Sequence, residues 1–427
     1  MSGDDRPHST GGSQEEAAAA WRAQRAQKSC LHAGKTEGIQ DAAAPWHPME
    51  AAWRVATLPF KIAHNTVAVS FRARTRPSWS TALDQAVSNL RTFSQNSTLS
   101  MSMVRSIHDS VITAACIPDG VVRTPCDLGG GLKAYWIMSE QLQHVAEAAR
   151  FIFYVHGPNS SPNSTAHRAL ASRLALDAGA AVLMADYSRT PESTREQAHT
   201  DISNAYRWMV GQPGVFPASL LIMADGLGCA LALNLCVELR DEMVSGSDDN
   251  LPAGIALCSP WVDLSAAATF GSSWDKHSEI DYLSKRILGF TANGFAGLSQ
   301  LDDAAVSPIH ASFIRFPPVH ISFGACEVLS DQGRALSDKM RGDKVLVDVD
   351  EAEEMVHAFQ LLAPFDSACA AGILRLATFA RRMAPGGLKL SVVSGVSATD
   401  GFLASPSALA QPVAQESEWA SPADEAD

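Results

Sequence analysis

Four short polar segments hold the residues of this 427-residue chain that could do acid–base or nucleophilic chemistry. They contain histidine, carboxylate and hydroxyl side chains, the groups that accept protons and attack carbonyl carbons in enzymes. In chain order they are Val155-His156-Gly157-Pro158-Asn159, Asp186-Tyr187-Ser188-Arg189-Thr190-Pro191-Glu192, Ala224-Asp225-Gly226-Leu227-Gly228-Cys229, and Glu327–Asp331 paired with Met355–Phe359. Each segment lies just beyond a predicted strand.

The elements that must position these segments are strands and helices in alternation. Strands are predicted over Phe151–Val155, Ala181–Ala185, Leu220–Met223, Gly254–Cys258, Val319–Phe323 and Val345–Val349. Helices are predicted over His167–Ala178, Glu196–Val210, Gly228–Leu239, Asp331–Lys339 and Cys369–Arg382. Continuously apolar strands alternating with helices are typical of a parallel sheet buried on both faces, so the predicted fold class is α/β. Residues 270–305 break the alternation, and we expect an excursion there over one end of the sheet.

The chain before the first of these strands has a different pattern. Ala82, Val87, Leu90 and Phe93 recur at helical spacing, as do Leu99, Met103 and Ile107, which predicts a helical region over residues 46–108. A strand pair is predicted next, over Val111–Ile117 and Gly131–Met138. The glycines at 129–131 lie between these strands and lack the Lys-Ser/Thr of a phosphate loop, so we interpret them as a hairpin turn.

Composition limits the partners and the compartment. The chain has 33 Lys and Arg against 46 Asp and Glu, a net charge of −13, which argues against nucleic acid or an anionic membrane surface as a partner. It contains no run of eighteen apolar residues and no secretory signal, so a cytoplasmic protein without a membrane span is expected. Cys229, Cys236 and Cys258 lie in apolar runs without a CxxC pair, which favours buried free thiols. Residues 1–45 and 386–427 have little to bury and are predicted to be disordered tails.

The polar segments together resemble a known family. The chain is similar to the hormone-sensitive-lipase-like branch of the α/β-hydrolases, esterases with an HGGG loop and a GDSAGG elbow. Residues 186–192 resemble the family's DYRLAPE, and Ser259-Pro260-Trp261-Val262-Asp263-Leu264 resembles its SPWxDLS. Phe316-Pro317-Pro318 and the Gly324, Glu327, Leu329 and Asp331 pattern also match. The resemblance covers about residues 77–383 and implies an α/β-hydrolase domain over 109–385, with the helical region 46–108 as its cap and a mostly parallel sheet of about eight strands.

The resemblance also implies roles for two residues. In this family the nucleophile, the acid and the histidine follow in that order along the chain. Glu327 would orient the imidazole, and His357 would be the general base. The alternatives are a structural loop histidine, a solvated loop acid at 327, and Asp331 as a substitute acid.

The family's nucleophile is missing. Where the elbow carries serine, this chain has Gly226, which has no side chain. A register slip would make Asp225 the nucleophile, but the residue two positions later must be small, and that residue would then be Leu227 rather than Gly228. Asp225 instead matches the family's structural aspartate, and Cys229 is expected to point away from the pocket.

The predicted oxyanion loop is altered as well. It contains His156, Gly157 and Asn159, with Leu227 contributing from the elbow, and its remaining position is Pro158. Proline has no N–H, so one of the family's three backbone donors is absent. Losing one such donor typically costs ~10²–10³ in rate. Ordinary serine-dependent hydrolysis should therefore be absent or very weak.

Three functions stay open at this point. The first is an esterase-like protein without hydrolysis, a pseudoenzyme that binds a small hydrophobic or acyl-type ligand or a protein partner. The second is an elimination, cyclisation or lyase enzyme that uses His357 and Glu327 without a nucleophile. The third is a carboxylesterase acting through water or a surrogate serine at Ser160, Ser161 or Ser188. No cofactor and no metal site is predicted, and the sequence leaves the oligomeric state open.

Overall fold

A single sheet of eight strands forms the centre of the fold. The computed structural model describes residues 63–64, 66–68, 73–95, 117–247 and 249–386. The strands are β1 (Val121–Asp127), β2 (Lys133–Ser139), β3 (Arg150–Val155), β4 (Ala180–Ala185), β5 (Leu220–Asp225), β6 (Gly254–Cys258), β7 (Val319–Gly324) and β8 (Val347–Ala352). Their spatial order is β1-β2-β4-β3-β5-β6-β7-β8. The β1–β2 and β2–β4 pairs are antiparallel and the other pairs are parallel, which confirms the predicted α/β class and its mostly parallel sheet.

Helices follow most of the parallel strands. Within the described residues they are α1 (Thr81–Ser94), α2 (Thr165–Ala178), α3 (Arg195–Val210), α4 (Gly228–Val244), α5 (Ala266–Thr269), α6 (Ser272–His277), α7 (Lys285–Ala296), α8 (Ser330–Gly342) and α9 (Ser367–Met383). Helices α6 and α7 lie within residues 270–305, the stretch in which the sequence breaks its alternation, and α5 ends just before it. None of the described helices is long and apolar enough to span a bilayer.

The core lies on both faces of the sheet because successive strand residues point to opposite sides. Phe151 and Phe153 of β3 pack in one apolar cluster with α3 and α4. Ile152 and Tyr154 pack in a second cluster with α2 and α9. Since both faces are covered, polar side chains that follow the strands collect at the carboxyl edge of the sheet, where ligands bind in open α/β folds.

Helix α1 lies on that edge. Ser80 caps it, with its hydroxyl accepting a hydrogen bond from the Leu83 N–H at 3.0 Å. Leu83, Val87 and Leu90 are buried on one face of the helix and pack with Tyr282. Most of the remaining predicted cap, including Leu99, Met103 and Ile107, lies outside the described residues, as do the two predicted tails.

The first hairpin differs from its prediction. The predicted pairing of residues 111–117 with β2 is wrong, because β2 pairs with residues 121–127, in register from Val121 opposite Ser139 to Asp127 opposite Lys133. Residues 111–116 lie outside the described part, and Ile117 belongs to no strand. The strand β1 is an edge strand with only partly buried side chains, so it lacks the apolar pattern that marks a central strand. The glycines at 129–131 do form the hairpin turn, which the Leu128 N–H closes by donating to the Leu132 carbonyl at 2.8 Å.

The other edge strand is shifted. The predicted strand Val345–Val349 is found as Val347–Ala352, with Asp348, Asp350 and Glu351 inside it. At least one of these acidic residues forms an ion pair: Arg375 Nε lies 2.7 Å from an Asp350 oxygen. Polar edge strands carry a weak sequence signal because only part of their surface is buried.

Candidate active site

The turn between β5 and α4 centres on Gly226. Its φ of +52° is in the left-handed region that favours glycine. Its N–H donates to the Cys258 carbonyl at 3.0 Å, and its carbonyl accepts from the Trp261 N–H at 3.1 Å. A Cβ built on Gly226 would lie 3.5 Å from Nε2 of His357. Any side chain at position 226 would therefore meet this imidazole.

Gly228 fixes how closely helix α4 approaches the sheet. A Cβ built there would lie 2.5 Å from the Val155 carbonyl oxygen and 2.7 Å from that of His156. Real Cβ atoms do not approach backbone oxygens this closely, so only glycine fits at position 228. Gly228 is therefore the small residue that must follow the nucleophile position by two, which makes Gly226, and not Asp225, the residue at that position.

Asp225 is held on the other side of the turn. Its carboxylate accepts hydrogen bonds from the Tyr154 hydroxyl at 2.7 Å and the Gly157 N–H at 3.2 Å. Nε2 of His167 lies 3.3 Å from Oδ2 without forming a directed hydrogen bond. Burial alone would raise the pKa of Asp225, but His167 and Tyr154 outweigh it and lower the pKa to about 2. Asp225 is thus a fixed carboxylate that ties the turn to the loop after β3.

Glu327 and His357 meet across the cavity wall. Oε1 of Glu327 and Nδ1 of His357 lie 3.9 Å apart, and neither atom has a hydrogen-bond partner within the described part of the chain. The other oxygen of Glu327 accepts from the Ser259 hydroxyl at 2.6 Å and the Gly324 N–H at 3.1 Å. Burial works against protonation of His357, but the Glu327 carboxylate, with Asp281 and Asp225, outweighs it and raises the pKa of the imidazole. We call Gly226, Glu327 and His357 the His357 cluster.

Two buried polar residues that the sequence did not single out for the site join its loops. The Ser259 hydroxyl, besides donating to Glu327, accepts from the Ala358 N–H at 2.8 Å. The Asp281 carboxylate accepts from the N–H groups of Val328 at 2.9 Å and His357 at 3.3 Å. Burial, with a further contribution from Glu327, raises the pKa of Asp281 to about 6. The loops that carry Glu327 and His357 are therefore held to each other by Ser259, which follows β6, and by Asp281 of the α6–α7 connection.

Asp331, the substitute acid, is engaged elsewhere. One of its oxygens accepts from the Ser272 hydroxyl and the Ser273 N–H, each at 2.8 Å. The other lies 2.9 Å from Nη1 of Arg334. The carboxylate that faces His357 is that of Glu327.

The predicted oxyanion loop lies beside the turn. Gly157, Pro158, Asn159 and Leu227 line the cavity. His156 lies behind the loop, where its ring stacks on Tyr187 at 4.7 Å and Nδ1 contacts the Gly157 carbonyl at 2.9 Å. Burial lowers the pKa of His156 to about 3, so it is neutral at physiological pH and supports the loop without facing the cavity.

The cavity itself is small and mostly apolar. Its volume is about 110 Å³. The apolar part of its wall comes from α1, α7 and neighbouring loops: Leu90, Phe93, Trp261, Tyr282, Leu283, Ile287, Leu288, Leu329 and Leu361. A cavity of about 150 Å³ accepts benzene. The space beside Gly226 is therefore large enough only for a small, mostly apolar group.

Comparison with known proteins shows which family this chain belongs to. A profile described as alpha/beta hydrolase fold matches residues 152–361. An acetyl-hydrolase from Streptomyces hygroscopicus is 32% identical over 229 residues, which make up 53% of this chain and 73% of that protein. The chain belongs to the α/β-hydrolase family.

Other relatives agree with this assignment. An esterase from Acinetobacter venetianus is 28% identical to this chain, over 53% of the chain and 72% of the esterase. Among solved structures, an esterase from the bacterial hormone-sensitive lipase family superposes with a TM-score of 0.63 at 24% identity, covering 71% of this chain and 99% of that one. An esterase crystal soaked with p-nitrophenyl butyrate superposes equally well, at 24% identity over 72% and 100% of the two chains. At these identities the structural matches show a shared fold.

Two more residues that the sequence analysis considered lie away from the cavity. Cys229 is fully buried, with its Sγ 3.6 Å from the Cys258 carbonyl oxygen, and burial raises the pKa of its thiol. His199 of α3 pairs with Glu238 of α4 at 2.6 Å. Neither residue lines the cavity.

Proposed function

We propose that this α/β-hydrolase belongs with the hormone-sensitive-lipase-like esterases by descent and binds a short carboxylic ester or similar acyl-type molecule, without hydrolysing it through position 226. The observation that carries the proposal is the Gly226 turn. It has the left-handed backbone and the proximity to His357 that a nucleophile would need, yet it presents only hydrogen where the hydroxyl would be.

The loss is large in chemical terms. Removing the nucleophile of a serine hydrolase costs ~10⁶ in rate. Pro158 lacks the N–H that the family's loop supplies at this position, which costs a further ~10²–10³. The ligand class is supported by the small apolar cavity and by the names of the relatives, an acetyl-hydrolase and an esterase.

The test is to restore the hydroxyl. Gly226→Ser, alone and with Pro158→Gly, should hydrolyse p-nitrophenyl acetate and butyrate with multiple turnovers, while the wild type should not exceed its His357→Ala variant. Wild-type turnover far above that variant would contradict the proposal. Binding is measured separately, as a rise in the melting temperature of the wild type with sodium butyrate.

One observation favours a second candidate function. Nε2 of His357 has no hydrogen-bond partner within the described residues, and the raised pKa of the ring makes it a stronger base than an ordinary histidine. Such a base could abstract a proton from a bound ligand in an elimination or lyase reaction that needs no nucleophile. Turnover of a candidate substrate that survives His357→Ala would exclude this function.

A further inference from the structure

A second set of serine, histidine and aspartate lies at the same cavity. The Ser160 hydroxyl is 3.0 Å from Nδ1 of His167, and Nε2 of the same ring is 3.3 Å from Oδ2 of Asp225. We call these three residues the Ser160 cluster. All three line the cavity.

Three different elements bring the cluster together. Ser160 follows β3, in a turn that its N–H closes by donating to the Gly157 carbonyl at 3.1 Å. His167 lies in the first turn of α2, and Asp225 is the last residue of β5. The Tyr154 hydroxyl and the Gly157 N–H hold the carboxylate in place. The three side chains are therefore fixed by packed elements.

The charges set the direction of the hydrogen bonds. His167 and Tyr154 keep the pKa of Asp225 at about 2 against the effect of burial, so the carboxylate is ionised at neutral pH and can only accept. In the neutral His167 ring, the proton therefore belongs on Nε2, facing Asp225. Nδ1 is then the acceptor, and it faces the hydroxyls of Ser160 at 3.0 Å and Ser164 at 3.2 Å.

Of these two serines, Ser160 is the one that borders the cavity. Ser160 is among the residues that line it, and Ser164 is not. Ser161, its neighbour, accepts a hydrogen bond from the Asn163 N–H and does not line the cavity. A hydroxyl that donates to a histidine whose other nitrogen faces a carboxylate is the arrangement that activates a serine nucleophile.

We propose that Ser160 is a surrogate nucleophile of this hydrolase and is acylated by short activated esters, with His167 as its general base. The proposal rests on the acyl-binding cavity proposed above. The Ser160 oxygen attacks the ester carbonyl carbon while its proton passes to Nδ1 of His167. The bond from the carbonyl carbon to the leaving oxygen then breaks, and the alcohol departs with that proton. The products are an ester of Ser160 and one free alcohol.

Acylation at Ser160 should be slow compared with that of an elbow serine. The Ser160 N–H is already used by the Gly157 carbonyl, so it cannot stabilise the developing oxyanion. Because the serine lacks a complete oxyanion hole, hydrolysis of the acyl-serine should be slow as well. We therefore expect p-nitrophenyl acetate to release at most about one equivalent of p-nitrophenol in the acylation phase and to leave one acetyl group on the chain.

The experiment is peptide mapping by mass spectrometry of the full chain after reaction with p-nitrophenyl acetate. In the wild type, we expect the acetyl group on the peptide that contains Ser160. Ser160→Ala should lose it, and Ser161→Ala, the matched control from the same loop, should keep it. His167→Gln, which retains a donor toward Asp225 but no base, should slow acetylation by ~10² or more.

The outcomes separate the two proposals. An acetyl group that persists in Ser160→Ala, or that maps elsewhere in the wild type, overturns the role of Ser160. The same holds if sodium butyrate raises the melting temperature of the wild type but no acetyl group forms, and in that case the binding function stands. Wild-type turnover that depends on His357 would instead contradict the proposed function. In that case an acetyl group on Ser160 would still support the role of Ser160, and its absence would overturn that role.

Discussion

Two imidazoles face one cavity with different partners. Nε2 of His357, which has no hydrogen-bond partner among the described residues, faces position 226, where no side chain exists, and its other nitrogen lies 3.9 Å from Glu327. His167 has a hydroxyl at 3.0 Å and a carboxylate at 3.3 Å, but the hydroxyl is on a loop rather than on the turn. A histidine base and a hydroxyl nucleophile are therefore separate requirements. The turn keeps a histidine, His357, without a hydroxyl, and the loop after β3 places a hydroxyl beside a different histidine, His167.

The largest expected effect shows which histidine acts as the general base for a serine placed at position 226. In Gly226→Ser, the additional change His357→Ala should lower ester hydrolysis by ~10³ or more, because a nucleophile without its base loses most of its rate. The measurement is steady-state hydrolysis of p-nitrophenyl butyrate. His199→Gln, a histidine of α3 paired with Glu238, is the control and should leave the rate unchanged. If activity persists without His357, His167 would be the base for a serine at position 226, and the two clusters would not act separately.

The second effect concerns the backbone donor. Adding Pro158→Gly to Gly226→Ser should raise kcat by ~10²–10³, since an added N–H at the cavity can stabilise the oxyanion. Pro162→Gly, in the same loop but away from the cavity, is the matched control. An equal gain in both variants would attribute the effect to loop flexibility rather than to the donor.

The third prediction uses the acid of the Ser160 cluster. The pKa of Asp225 is lowered to about 2, below its value in the unfolded chain, so its contribution to folding is present above about pH 4 and is lost as the pH falls through about 2. Asp225→Asn should therefore lower the free energy of unfolding at pH 7 by on the order of 2 kcal/mol. Urea unfolding at several pH values should show this difference shrinking toward pH 2.

The matched control for that measurement is Asp338→Asn, since Asp338 is 81% exposed on α8. It should change stability by less than about 0.5 kcal/mol, as expected for a surface residue. A constant difference between Asp225→Asn and the wild type across the pH range would show that packing, rather than charge, holds Asp225 in place.

The smallest effect is the conformational cost of a side chain at the turn. Gly226→Ser should lose about 1 kcal/mol of stability, because a non-glycine residue with a left-handed backbone is strained. Gly130→Ser in the β1–β2 turn has a similar φ of +61° and open space around it, so it should lose about the same amount without gaining activity. A much larger loss at 226 in urea unfolding would mean that the cavity cannot hold the hydroxyl beside His357.

The central elements were predictable because their residues carry a strong pattern. Strands β3 to β6 are buried along their whole length, so apolar runs mark them clearly. The edge strand Val121–Asp127 contains Arg123, Thr124 and Pro125 and is not indicated by the sequence, because nothing in an exposed strand forces apolar residues into alternation.

The site was predictable only where a family motif exists. Glu327 and His357 follow known segments, but Asp281 lies in the irregular stretch before α7 and reaches the His357 N–H only through folding. The contact of Ser160 with His167 depends on how the loop after β3 turns back over the start of α2. Sequence spacing carries no information on such a turn, so the arrangement of a serine beside a second histidine needed the structure.

The close packing at Gly228 limits how this cavity can change. Since the carbonyls of Val155 and His156 leave no room for even a methyl group at Gly228, the start of α4 is fixed against β3, and the backbone beside Gly226 is fixed with it. Phe93 of α1 and Ile287 of α7 line the cavity with side chains that a substitution can shorten. We therefore expect selection or engineering for bulkier guests to act on these two helices.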